Sequence, residues 1–225
     1  MGTLVLAGLL FVVTHLGISS TALRGWLVDR VGRGAYLGLY SLIAAITLGF
    51  LVLAYNGAPP AELLWVPSQG LRWTALVLMP FAMIFMLGGF LAPNPTGVGM
   101  EGKLTSVGDG VGMTRITRHP LQWSFVLWAI VHVLANGDLR SFVLFGSLGT
   151  VSLLGSFLMD RKKAATLGED WARYAAATSN LPFAAVATGR NRLVASELVV
   201  PVLVGLVGYG LVLWGHEWLS GVPLF

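Results

Sequence analysis

The stretch Met113–Asn136, MTRITRHPLQWSFVLWAIVHVLAN, carries the features that decide the fold of this chain. It opens with two arginines and a histidine and then runs into an apolar segment in which His132 lies among Trp, Val and Leu. Proline at position 120 suits the first turn of a helix, where a backbone N–H has no partner anyway. An ionisable side chain inside such a segment is costly, so His132 indicates function.

The composition around this stretch is that of a membrane protein. The chain has 225 residues, of which 56% are hydrophobic and 11% charged, and its mean hydropathy is +0.78. A soluble domain carries about 25% charged residues. We therefore expect an integral membrane protein whose main partner is the lipid bilayer.

Several functions are excluded by the same composition. The chain has no cysteine, so disulfides, thiolate metal sites and a cysteine nucleophile are absent. It also lacks the Gly-x-Ser-x-Gly and His-Glu-x-x-His motifs of hydrolases. A net charge of +4 is explained by basic loops that orient a membrane protein, so we predict no nucleic-acid partner.

Six segments approach the roughly 20 apolar residues that crossing a bilayer requires. They cover about 3–23, 35–55, 72–92, 121–136, 141–159 and 197–216. The first has no basic leader or cleavage site, so we expect a retained helix and not a signal peptide. Because Asn136, Gly137 and Asp138 form a short turn, the fourth and fifth should be a tight antiparallel pair. The predicted fold is an all-α polytopic membrane helix bundle, as a single domain over residues 1–225.

The basic residues predict the orientation of this bundle, because Lys and Arg concentrate in cytoplasmic loops. Twelve of the 14 fall in the first, third and fifth loops, and only Arg72 and Arg140 lie elsewhere. We expect a multi-pass protein of a bacterial inner membrane with both termini periplasmic.

Two of the inner loops are long. Residues 93–117 are rich in Gly and Pro and are not expected to form a regular element; they are either a tether or a loop whose backbone amides line a site. In residues 160–192, the positions Ala164, Leu167, Trp171 and Tyr174 recur at helical spacing. This pattern predicts an amphipathic helix at the inner membrane surface, as an anchor or as a lid over a site.

Two histidines, His15 and His132, lie well inside predicted spans. At 1.5 Å per residue their depths from the inner helix ends are roughly 12 and 17 Å, close enough for one haem iron to join facing helices. A pair of imidazoles is a natural axial set when no cysteine exists. Alternatively, each histidine only hydrogen-bonds a neighbouring helix.

At the inner end of the fourth segment, Arg115, Arg118 and His119 precede a helix N-terminus. Arginines beside such an end suit a haem propionate, a phosphate or a carboxylate. Positive-inside charge and ordinary capping explain the same residues without a ligand. His216 beside Glu217 and Trp218 is expected to be structural.

Three motifs together resemble the NnrU family of bacterial membrane proteins and the similar 15-cis-zeta-carotene isomerases of plants and cyanobacteria. They are MTRITRHP at 113–120, LWAIVHVLANGD at 127–138, and DRKKAATLGEDWARYAAATSNLPFAAVATGR at 160–190. The first segment matches as well, through His15, Ser19, Leu23 and Arg24.

The resemblance implies haem b held by His15 and His132, and cis–trans isomerisation of a carotenoid-like polyene when the iron is reduced. It also implies a link to denitrification and nitric oxide, and it adds Arg24 to the candidate cofactor-binding residues. The chain departs from the plant enzymes at Ala129, where they carry a cysteine. This departure bears on isomerase activity more than on haem binding.

A second resemblance is to membrane methyltransferases that modify lipids or isoprenyl groups with S-adenosylmethionine. It rests on Arg118-His119-Pro120 with the downstream Glu169, Tyr174 and Leu181-Pro182-Phe183. Those enzymes commonly continue with Tyr and Gly, whereas Leu121, Gln122 and Trp123 follow here. A methyltransferase is therefore the alternative function.

Overall fold

A computed structural model describes residues 1–97 and 100–222, and for residue 101 the backbone alone. Its helices are α1 (Gly2–Ser20), α2 (Ala22–Val31), α3 (Arg33–Asn56), α4 (Gln69–Leu91), α5 (Leu104–Val107), α6 (Pro120–Asn136), α7 (Leu139–Ala177), α8 (Ala184–Ala187) and α9 (Ala195–Ser220). Two 3₁₀ turns cover Glu101–Lys103 and Gly112–Arg115. No strand occurs among the described residues, which confirms the predicted all-α class.

Five of these helices, α1, α3, α4, α7 and α9, are long and apolar enough to cross a membrane. The fourth predicted segment, 121–136, is α6, which is apolar but has 17 residues. At 1.5 Å per residue α6 measures about 26 Å, slightly less than a hydrocarbon core of about 30 Å. The predicted polytopic membrane fold is confirmed, with α6 as its shortest apolar helix.

The first predicted segment ends earlier than the sequence indicated. α1 stops at Ser20, and Thr21 takes an extended conformation with φ −115° and ψ 177°. Its hydroxyl accepts the N–H of Leu23 and so caps a separate helix, α2. Hydropathy alone does not place this break, because Ala22 and Leu23 continue the apolar segment after it.

The expectation that residues 93–117 contain no regular element is wrong for the described part of that loop; Val98 and Gly99 lie outside it. The loop contains α5 and both 3₁₀ turns. Leu104 and Val107 of α5 form a buried cluster with Trp171 and Tyr174. These contacts join residues more than 60 positions apart, so local composition could not predict them.

The predicted amphipathic helix exists as the C-terminal part of α7. The helix passes through Asp160 without a break and is kinked at Gly168, which has φ +56°. Trp171 and Tyr174 are almost completely buried, at 3% and 1% exposure. The apolar face of this helix therefore packs largely on α5, inside the protein.

The chain divides into two compact units. The first comprises Met1–Ala75 and Trp128–Lys162, and within it α1, α2 and α3 pack on one another. Gly137, with φ +71°, and Asp138 connect α6 to α7 as the predicted tight pair, and Asp138 caps α7 by accepting from the N–H and hydroxyl of Ser141. The core of this unit consists of Leu4, Ala7, Phe11, Leu51, Ala129, Leu144 and Phe145.

The second unit comprises Leu76–Leu127 and Lys163–Phe225. Here α4 and α9 approach closely, because a Cβ built on Gly205 would lie 2.5 Å from the Cα of Ile84. Small residues commonly allow such contact between membrane helices. The unit also holds a cluster of Phe85, Met113 and Ile116. The prediction of one domain over residues 1–225 stays a prediction.

Candidate functional site

His15 lies on α1, in the first unit, with its ring oriented by its own helix. Its Nδ1 lies 2.8 Å from the carbonyl oxygen of Phe11. The Phe11 ring packs on the imidazole at a centroid distance of 4.0 Å, and the edge of Tyr40 from α3 lies at 6.1 Å. The hydroxyl of Ser19 donates to the His15 carbonyl.

His132 lies on α6, also in the first unit, in a matching arrangement. Its Nδ1 is 2.7 Å from the carbonyl oxygen of Trp128. The imidazole contacts two aromatic rings, those of Trp128 and Phe145, at 4.8 and 4.7 Å. Phe145 comes from α7, so the turn that joins α6 to α7 brings these groups together.

Both imidazoles are thus held in the same way, by a hydrogen bond from Nδ1 to the carbonyl four residues earlier. A carbonyl oxygen only accepts, so each Nδ1 carries the proton. In the neutral ring the coordinating lone pair is then on Nε2, and an Nδ1–H bond to a backbone carbonyl is the usual support of a metal-ligating histidine. The donor chemistry of the pair fits the axial positions of a haem.

The two histidines also border one apolar cluster. Phe11, which packs on His15, and Phe145, which packs on His132, both belong to the buried core of the first unit. Because α1 ends at Ser20, His15 is only about 8 Å from the end of its helix, and the depth argument from sequence is weaker than expected. What the structure shows is that Phe11 and Phe145, the neighbours of the two histidines, share one cluster; a joint role of the histidines stays a prediction.

A metal ion held by several protein side chains has no candidate in the described part of the chain. No group of three or more His, Cys, Asp or Glu side chains comes together there. The chain offers paired imidazoles, which is a haem-type donor set and not that of a structural zinc site.

Arg24, the third predicted site residue of the first unit, lies on α2. Its guanidinium carbon is 5.6 Å from the centroid of the Tyr36 ring, and Tyr36 stacks on Tyr40 at 6.1 Å. Tyr40 in turn presents its edge to His15. Arg24 is therefore linked to His15 through two aromatic side chains of α3.

Arg115 lies in the second unit and is paired within the protein. Its Nε and Nη2 donate to the carboxylate of Glu197 at 2.8 and 3.0 Å, and its Nη1 donates to Asn191 at 3.1 Å. The hydrogen bond to Glu197 raises the pKa of Arg115 above its ordinary value. Glu197 also accepts the backbone N–H of Gly112 at 2.6 Å, so this pair fastens the 3₁₀ turn Gly112–Arg115 to α9.

Arg118 and His119 also lie in the second unit. The backbone N–H of Arg118 donates to the carbonyl of Ser179, and its Nη1 lies 3.4 Å from the hydroxyl of Thr178. Its guanidinium carbon is 5.9 Å from the Trp171 ring, and His119 is completely buried. A propionate role for Arg115, Arg118 and His119 stays a prediction.

The residues of the methyltransferase-like motif lie in this second unit too. Tyr174 is buried beside Trp171, whereas Glu169 is exposed just after the kink at Gly168. A site for S-adenosylmethionine at these residues stays a prediction.

Sequence reasoning missed three residues that shape these surroundings. In the sequence, Phe145 is an ordinary apolar residue of a predicted span, and no motif connects Glu197 to Arg115. Arg140 is only an exception to the charge distribution. An arginine outside the inner loops was the one available signal.

The fold defines a polytopic helical membrane protein, and His15 and His132 both lie in its first unit. The family model described as NnrU protein matches residues 3–224. The chain belongs to the NnrU family.

Two curated relatives are chloroplastic 15-cis-zeta-carotene isomerases. The chain is 29% identical to that of Zea mays over 198 residues and 30% identical to that of Arabidopsis thaliana over 193 residues. The alignments cover 84% and 82% of this chain but 52% and 50% of the relatives, so the chain spans about half the length of the curated relatives it matches. No solved structure matches the chain.

Proposed function

We propose that this protein binds haem b through His15 and His132 and isomerises a cis double bond of a carotenoid-like polyene when the iron is reduced. The observation that carries the proposal is the matched support of the two imidazoles, each held by the carbonyl four residues earlier on the border of one apolar cluster. The names of the two plant relatives supply the substrate class.

The side chains of the first unit have distinct tasks in this proposal. His15 and His132 hold the group, and Phe11 and Phe145 fix the planes of their rings. When bound, a ferrous haem would supply an iron able to polarise a double bond. The apolar cluster excludes water and suits a hydrocarbon substrate.

The residue at position 129 bears on which side chains could ligate the group. Ala129 is buried and packs on α7. A Cβ added at Gly149 of α7 would lie 2.9 Å from the Cβ of Ala129. A larger side chain has little room there, and the whole chain has no thiol that could replace an imidazole. His15 and His132 are therefore the side chains that would hold the group.

Nitric oxide is the other small molecule that the family resemblance suggests. Nitric oxide would bind at the same site, because a ferrous haem takes it readily. That role would require no isomerisation. The two functions are separated by whether the reduced protein converts a polyene.

The experiment compares reduced and oxidised protein, loaded with haem b in liposomes, on a 15-cis polyene. Conversion to the trans form by the reduced protein only, and its loss in His132→Ala, is the expected result. Nitric oxide binding without conversion would favour the nitric-oxide role. A haem-free protein that binds S-adenosylmethionine through Arg118, His119 and Glu169 would establish the methyltransferase alternative instead.

We also propose a membrane topology for the chain. With α6 crossing the membrane there are six passages, and the basic loops then face the cytoplasm of a bacterial cell with both termini periplasmic. Reporter fusions at Gly137 and at the C-terminus should be periplasmic, and fusions at Gly102 and Gly168 cytoplasmic. A cytoplasmic C-terminus would mean that α6 does not cross.

A further inference from the structure

Arg140 occupies the first turn of α7, in the first unit, and its guanidinium is only partly satisfied. Its Nη2 donates to the carbonyl oxygen of Tyr55 at 3.1 Å, and its guanidinium carbon lies 4.9 Å from the Tyr55 ring. Its Nε is buried and has no hydrogen-bond partner. Within the described part of the chain, no carboxylate makes an ion pair with it.

This arrangement is costly for an isolated arginine. Guanidinium is always charged and carries five N–H donors, and leaving a buried donor of a charged group unsatisfied costs more than leaving a neutral one. The Tyr55 carbonyl accepts from one of these donors. Because this carbonyl is near the C-terminus of α3, the guanidinium also interacts favourably with the helix dipole. This contact does not account for the buried Nε.

The acidic residue nearest to Arg140 in the sequence does not accept a hydrogen bond from its Nε. Asp138 is two residues away, but both of its oxygens accept from Ser141. Arg115 shows the contrasting case, because a carboxylate and an amide oxygen accept from its Nε, Nη1 and Nη2. The surroundings of Arg140 lack such an acceptor and suit an external anion.

Two aromatic rings connect Arg140 to a proposed haem ligand. The Tyr55 ring lies 6.5 Å from the ring of Phe145, and the Phe145 ring lies 4.7 Å from His132. All four residues belong to the first unit. The unsatisfied donor is thus in the same packed group as the imidazole.

We propose that Arg140 binds a carboxylate of the group that His15 and His132 hold, and is the arginine that anchors one propionate of the haem. The inference rests on the proposed haem site and adds to it a residue outside the inner loops. Arginine is well suited to a carboxylate because Nε and one Nη can donate in parallel to its two oxygens.

The most direct test changes the ligand and leaves the protein intact. Haem-free protein is reconstituted with iron protoporphyrin IX or with its dimethyl ester, whose carboxylates are blocked. We expect the wild-type protein to bind the free acid at least about tenfold more tightly, as one charge-assisted hydrogen bond implies. Affinity is measured by haem transfer to apomyoglobin.

Matched variants assign that difference to one residue. Arg140→Gln should remove most of the preference for the free acid, and Arg140→Lys, which keeps the charge but not the paired donors, should retain part of it. Arg72→Gln is the control, because Arg72 is the other basic residue outside the inner loops and is exposed. It should keep the full preference.

The outcomes separate this inference from the proposed function. If the wild-type protein binds acid and ester equally well, Arg140 does not hold a propionate, and a lipid phosphate becomes the better partner for it. If Arg140→Gln keeps the preference, another residue binds the carboxylate. If the wild-type protein binds neither compound, the haem proposal itself fails.

Discussion

The two units of this protein use their polar residues in opposite ways. In the second unit, Arg115 and Glu197 form a closed set of charge-assisted hydrogen bonds that ties a loop to α9. In the first unit, His15, His132 and Arg140 lie among aromatic rings, and each donates a hydrogen bond to a backbone carbonyl.

The difference indicates which residues are structural. A polar group that another side chain satisfies is explained by folding alone, whereas a buried donor without an acceptor, such as the Nε of Arg140, is a candidate for binding a ligand. In the sequence motif at 113–120, Arg115 already donates to Glu197 and Asn191 within the protein. The first unit holds the better candidates for chemistry.

The largest expected effect is the loss of haem on removing a ligand. His15→Ala and His132→Ala should each reduce bound haem by at least about tenfold or convert it to a five-coordinate form, since even residues that only orient a ligand contribute about 10–100-fold. Haem per protein is measured by absorption after purification. His216→Ala, at the end of α9, is the control, and a comparable loss there would break the comparison.

The next effect should be confined to the second unit. Glu197→Gln removes the carboxylate that faces Arg115, and we expect the free energy of unfolding to fall by about 2 kcal/mol, since both side chains are only partly exposed. Haem content should be unchanged. Glu217→Gln on the same helix is exposed and should have almost no effect. Haem loss in Glu197→Gln would assign Arg115 to the cofactor after all.

A smaller effect on stability tests the packing of α6 on α7. Gly149→Ala places a methyl group 2.9 Å from the Cβ of Ala129 and should cost about 1–2 kcal/mol by overpacking. Gly146→Ala, three residues earlier with open space around it, should be neutral or slightly stabilising. Thermal unfolding in detergent distinguishes the two, and equal behaviour would mean that the helices are not in close contact.

The smallest effect should appear only in the spectrum. Phe145→Leu removes the ring that packs on His132, so the imidazole plane should turn and shift the electron paramagnetic resonance g-values of the ferric haem while most haem is retained. Phe142→Leu, on the same helix but 49% exposed, should leave the g-values unchanged. An unchanged signal in both variants would show that Phe145 does not orient the ligand.

Hydropathy predicted the membrane helices well, because crossing a bilayer requires a continuous apolar run that is visible locally. His15 and His132 were also identifiable, since a titratable residue in such a run stands out. The break at Thr21 and the short helices of residues 93–117 were not predictable, because they depend on a side-chain cap and on packing against Trp171 and Tyr174.

Arg140 shows why part of the site could not be predicted. By position it is one of two arginines outside the predicted inner loops, and only the approach of Tyr55, 85 residues earlier in the chain, reveals which of its donors are used. The same holds for Arg115, whose partner Glu197 is 82 residues away. Sequence spacing gives residue types and helix faces, whereas the pairing of distant polar groups requires the fold.

The central claim is that the first unit binds haem b through two imidazoles. The most direct measurement is the absorption spectrum of the detergent-purified protein from haem-sufficient cells, oxidised and then reduced with dithionite. We expect the low-spin spectrum of a bis-histidine haem b in the purified protein. A colourless preparation, or a spectrum that persists unchanged in the His15→Ala and His132→Ala double variant, would contradict the account.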